Sequence, residues 1–254
     1  MPNYDDEVVV LRAHVLGEAD RIVTMFGRQH GKIRAVARGV RRTTSKFGAR
    51  LEPGNLLDAQ FYTRRLGAGG LDTVTQVVTV QSYAGKFVDD FEVYTAASAV
   101  LEAADRLLES EPAPLQFAQL VGSLRDLARR AHPAGLIVDS YLLRALALAG
   151  WEPTFTNCTR CGRPGPHARI SLATGGAVCD EDAPGSGALM TADVDTMRLL
   201  WALLAGNWRV AEASDDDTRA AATRIVAAYT QFHLERGLRS VEVGNQDRRA
   251  RDVP

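Results

Sequence analysis

Acidic side chains are missing from one long stretch of this sequence. Between Arg21 and Leu51 there is no Asp or Glu, yet nine basic residues fall there: Arg21, Arg28, Lys32, Arg34, Arg38, Arg41, Arg42, Lys46 and Arg50. The whole chain is nearly neutral, with 30 Lys+Arg against 31 Asp+Glu, so the remainder holds 21 basic and 31 acidic residues. Charge sorted on that scale sets up a local field, and such a field implies a polyanionic partner more readily than it implies a fold. Long apolar runs are missing too. No stretch of about 18 apolar residues exists, so no segment is expected to span a membrane. The opening residues MPNYDDEVVVLRAHV are acidic where a secretory signal would be basic, and Arg12 and His14 interrupt their apolar stretch. A cytoplasmic chain is therefore expected. Cysteine is scarce: Cys158, Cys161 and Cys179 lie within 22 residues. An odd, clustered count in a cytosolic chain favours metal over disulfide.

Catalytic signatures are also lacking. GRQHGKI at residues 27–33 has only three residues between its glycines, no Ser or Thr after Lys32, and a strand pattern rather than a helix downstream. It does not make a phosphate cradle. There is no H-E-x-x-H and no G-x-S-x-G. The five histidines, His14, His30, His132, His167 and His233, are scattered. No enzymatic role is expected.

What is present is a chain with 46% hydrophobic and 7% aromatic residues, enough to bury a core. The first 82 residues read as five short strands: 7–16, 21–27, 31–39, 56–64 and 71–83. The second and third are joined by Arg28-Gln29-His30 and closed by Gly31, a hairpin signal. A five-stranded OB barrel is the best match in size, since closure removes exposed sheet edges. From residue 83 to about 240 the period becomes helical. Phe87, Phe91, Tyr94, Leu101 and Leu108 mark what looks like one buried face. Pro112 and Pro114 separate that helix from a second over 115–130. A third, over 136–149, is closed by Gly150. Helix resumes with Thr191 as the expected N-cap, and a last helix is expected over 217–235. Residues 156–187 show no helical period, and the polar tail 241–254 is expected to be disordered. The predicted class is α+β: a barrel domain, then a helical domain with a zinc-ribbon-like insertion.

Two constellations carry chemistry. Cys158 and Cys161 form a C-x-x-C knuckle whose turn can aim two thiolates at one tetrahedral Zn²⁺. Cys179 and Asp182 repeat the spacing with a carboxylate as fourth ligand; His167 and Asp180 are rivals for that place. The set looks closed and structural. The second constellation is the cationic run. Lys32, Arg34 and Arg38 lie on or beside the third strand, and Arg41, Arg42, Lys46 and Arg50 lie in the loop after it. These seven are the candidate nucleic-acid contacts. Phe47, Phe61 and Tyr62 are candidates to stack bases, although Phe61 and Tyr62 must face opposite ways.

Three stretches resemble a known family. GEADRIVTMFGRQHGKIRAVARGVRRTTSKFGARLEPG (17–54), LLRALALAGWEPTFTNCTRCG (142–162) and YTQFHLERGLRS (229–240) are similar, in that order, to signatures of the bacterial recombination mediator family RecO. The resemblance covers roughly residues 5–240. It implies an OB domain, a helical domain and, in many members, an inserted zinc ribbon. It implies binding of single- and double-stranded DNA and annealing of complementary strands. With RecR as partner, it implies loading of RecA onto DNA coated by single-strand DNA-binding protein (SSB). Asp182 stands where many members carry cysteine. Two other functional classes fit the residues: a zinc-ribbon RNA-binding module and a protein adaptor.

Overall fold

A computed structural model describes residues 3–45, 47–63 and 71–251, with side chains described as far as residue 234. The five expected strands are present: β1 (Asn3–Leu16), β2 (Asp20–Gly27), β3 (Gly31–Ala37), β4 (Leu56–Tyr62) and β5 (Asp72–Gln81). They close into a barrel in the order β1-β2-β3-β5-β4, the parallel β3–β5 pairing completing the ring. This is the expected OB barrel. Alternation explains it: Ile33, Ala35 and Ala37 point into the core with Val8, Val10, Met25 and Phe61, while Arg34 points out.

The β2–β3 turn has a specific requirement. Gly31 has φ +64°, and a Cβ there would lie 2.5 Å from the carbonyl oxygens of Ser110 and Glu111. Only glycine permits that approach. The amide of Lys32 then donates to Glu109 O at 2.9 Å.

α1 (Ala84–Phe87) and α2 (Phe91–Leu107) follow the barrel, then α3 (Pro114–Arg129) and α4 (Ala134–Leu148). Asp90 caps α2, accepting from the amides of Glu92 and Val93. Of the expected face, Phe87, Leu101 and Leu108 are buried, but the first turn of α2 departs from it. Phe91 and Tyr94 are 85% and 53% exposed, and the core side is built from Val93, Ala96, Ala97, Val100, Leu101 and Ala104. Alanines at helical spacing allow close packing but give a faint hydropathy signal, so the aromatic rings misled the reading.

Compactness divides the chain at a different point from the change of period. Met1–Tyr141 form one compact unit and Leu142–Pro254 the other. The first unit joins the barrel to α2 and α3: Phe117 of α3 lies 6.2 Å from Phe26, with the Arg28 guanidinium 5.1 Å over its ring.

In the second unit, residues 156–187 are not a bare loop. β6 (Arg169–Ser171) pairs antiparallel with β7 (Gly176–Val178) and with β8 (Leu189–Thr191). Then come α5 (Val194–Ala205), a short α6 (Trp208–Glu212) and α7 (Asp216–Arg251). The N-cap of α5 is Asp193, whose carboxylate accepts from Thr196 N at 2.8 Å; Thr191 instead ends β8. The hydrogen bond to Thr196 holds the Asp193 carboxyl below its ordinary range. The backbone of α7 stays helical past Glu235, through much of the tail that was expected to be disordered, where Leu, Arg, Glu and Gln favour helix.

Candidate nucleic-acid interface and metal centre

β3 and the segment after it position the cations. Val40, Phe47 and Leu51 belong to the barrel core, so the segment is tethered by apolar side chains at three points along its length. Gly39 N donates to Asp20 Oδ1 at 2.8 Å and Arg41 N to Ala19 O at 3.0 Å, tying this turn to the β1–β2 turn. Arg41 Nη1 also donates to the carbonyls of Gly17 and Glu18 at 3.3 and 3.1 Å. At the far end Asn55 donates to Ala49 O and Arg50 O and accepts from Ala84 N. The cations thus project from a backbone whose hydrogen bonds and apolar anchors fix its course.

Tertiary structure edits the cationic set. Arg34, Arg38, Arg41, Arg42 and Arg50 are exposed. Among the described residues, Arg34, Arg38 and Arg42 meet no carboxylate within 4.0 Å. Lys32 departs from the expectation. Its ammonium donates to the Asp105 carbonyl and lies 3.5 Å from that residue's carboxylate, which Arg12 also approaches at 3.2 Å. Two further cations of the acid-free stretch are neutralised by residues outside it, Arg21 by Glu52 at 2.8 Å and Arg28 by Glu7 at 2.6 Å. Lys46 lies outside the described residues.

The aromatic candidates divide similarly. Phe47 and Phe61 are core residues, and Phe61 stacks on Tyr4 at 5.1 Å between centroids. Neither can offer a face to a base. Tyr62, next along β4, faces the opposite way and is half-buried.

The cysteine knuckles converge. One ligand atom from each of Cys158, Cys161, Cys179 and Asp182 lies within 4.8 Å of all the others. Cys161 Sγ and Cys179 Sγ are 3.8 Å apart, close to the roughly 3.8 Å edge of a tetrahedron with 2.3 Å metal–sulfur bonds. Asp182 Oδ2 lies 3.3 Å from Cys158 Sγ and 3.2 Å from Cys179 Sγ. The rivals fall away: His167 Nε2 is engaged with Arg163 O at 2.9 Å, and Asp180 pairs with Arg169 at 3.3 Å.

Local backbone explains the convergence. Cys158 N donates to Arg163 O and Gly162 N to Cys158 O, both at 2.9 Å, closing the first knuckle. The base of the module is closed at Gly176, where a Cβ would fall 2.0 Å from Thr154 O. Backbone N–H groups, that of Cys161 foremost, lower the Cys158 thiol pKa. Asp182 pushes the Cys161 thiol up to about 12, and is itself lowered by that hydrogen bond. A dication among these four groups would reverse the penalty on ionising the second thiol. The donor set therefore suits a metal ion.

Sequence reasoning missed Phe91 and Tyr94 as surface rings. The available signal was the alternative helical stripe of Val93, Ala96, Ala97 and Val100, which accounts for the core without them.

Comparison with known proteins agrees with this architecture. A sequence profile of the family described as Recombination protein O N terminal matches residues 1–83, and that of Recombination protein O C terminal matches residues 88–242. The chain is 48% identical over 246 residues to the DNA repair protein RecO of Streptomyces avermitilis, covering 95% of this chain and 98% of that one. Similar proteins of the same name occur in Streptomyces coelicolor, 47% identical, and Streptomyces griseus, 48% identical, with the same coverage.

Proposed function

Because the chain belongs to the RecO family of DNA repair proteins, we propose that it binds single- and double-stranded DNA through the arginine-rich rim of its barrel and anneals complementary strands. The observation that carries this reading is the trio Arg34, Arg38 and Arg42, exposed and without a carboxylate partner among the described residues, on a segment anchored in the barrel core. Arg41 and Arg50 extend the rim. Two single strands repel through their phosphates. A cationic rim that neutralises both raises their local concentration and accelerates pairing, with no covalent step and no catalytic residue. Contacts to the backbone leave base edges available to the complementary strand.

In this reading the protein acts in the cytoplasm at the nucleoid. With RecR it helps load RecA onto DNA coated by SSB. The family resemblance supports these partners. Cys158, Cys161, Cys179 and Asp182 hold one structural Zn²⁺ that fixes the residues 156–187 module; three thiolates and a carboxylate are an acceptable zinc set.

Annealing and binding measured at graded salt test the proposal. About five neutralised phosphates give a slope near −3.5 in log K per decade of salt. A protein whose DNA binding had no salt slope would refute the cationic-rim mechanism. Matched RNA strands serve as competitors: preference for RNA would favour an RNA-binding module instead.

A further inference from the structure

We propose that the groove lined by Tyr94, with the exposed Phe91 one helical turn away, is a base-stacking subsite for single-stranded DNA leaving the cationic rim. The inference rests on the rim reading and adds a second kind of contact to it. Beside α2 lies a groove of about 720 Å³ with Leu11, Pro53, Phe87, Tyr94 and Leu101 among its lining residues. Phe91 lies one turn before Tyr94 on α2 and is 85% exposed. Neither ring meets another aromatic ring among the described residues, and Val88 beside them is 67% exposed.

Three observations favour a nucleic-acid strand as the occupant. The groove adjoins a smaller one of about 300 Å³ that shares Ala49, Asn55 and Ser82 with it and is lined by Ser45, Gly48 and Arg50 of the cationic segment. Asn55 bonds that segment to α1 and so holds the two grooves in register. The carboxylates bordering the large groove are each held by an arginine: Glu52 by Arg21, Glu102 by Arg106 and Asp105 by Arg12. Along that lining an anionic strand therefore meets a ring face and paired charges; the exposed carboxylates of Asp89 and Glu92 flank Phe91 outside the lining. Every base has a π-face, so stacking on Tyr94 and Phe91 adds affinity without reading sequence.

The test uses the full chain, a labelled oligo(dT) and an abasic deoxyribose-phosphate strand of equal length, at one salt concentration. Tyr94→Leu combined with Phe91→Ser should weaken oligo(dT) binding by about tenfold or more and leave the abasic strand unchanged. Tyr94→Phe should bind as the parent does. Both rings are exposed, so the substitutions spare the core. Equal effects on the two strands, or none on either, would overturn the stacking subsite; the latter would leave the groove to a protein segment. Arg38→Ala with Arg42→Ala, run in parallel, should weaken both strands alike. If that pair changes neither, the rim reading fails on its own account, whatever the rings do.

Discussion

The cationic rim and the cysteine module are both short, polar and written into the sequence as conspicuous clusters, yet they depend on the fold in opposite ways. In the module, four side chains must bring their ligand atoms within 4.8 Å of one another, and the C-x-x-C…C spacing already points three of them at one place. In the rim, the property is a sum of charges spread along a segment. No single arginine is decisive, and the fold changes the membership of the set by supplying counter-charges from elsewhere. Convergent ligand sites are specified by local turns, whereas a field is specified only once every carboxylate has been placed.

The largest expected effect falls on the module. Metal analysis should find one zinc per chain in the parent and none in Cys158→Ser, and the substitution should remove hydrogen-exchange protection from residues 156–187, since site and local fold form together. Survival of that protection would show the module to be held by its β-sheet alone. Next comes the anchor of the rim. Phe47→Ala should destabilise the barrel by about 3–5 kcal/mol in denaturant unfolding, because a buried ring is lost from a closed core. A small cost would mean the rim segment is not held by the barrel.

Smaller, and confined to binding, is the effect of Arg38→Ala with Arg42→Ala. Affinity should fall by a similar factor on any DNA sequence, and the salt slope should shrink by about 1.4. The smallest effect is expected of Lys32→Ala. Its ammonium is already committed to Asp105, so the salt slope should stay within error of the parent. A full loss of one phosphate equivalent would return Lys32 to the interface.

Much of this was legible without coordinates. All five barrel strands follow from alternation and turn residues, and β3 ends at Ala37 just where the cationic turn begins. The fourth ligand was narrowed to Asp182, His167 or Asp180, and geometry chose among them because His167 and Asp180 bond elsewhere. Phe47 and Tyr94 exchanged roles. An aromatic among arginines resembled a stacking platform and proved to be an anchor, while one at helical spacing resembled core and proved to be surface. Hydropathy records what a side chain is, not which of two alternative stripes meets a neighbour. On α2 the alanine and valine stripe won because small residues let a helix pack closely.

Periodicity, turn chemistry and ligand spacing are carried within a few residues of chain, and for that reason the amino-acid order alone settled the five barrel strands, the place of the longer helices and the pairing of the cysteine knuckles. Which cations stay available, which rings face water and where α2 rests on its neighbours depend on groups far apart in the chain, such as Lys32 and Asp105, and only folding brings those together.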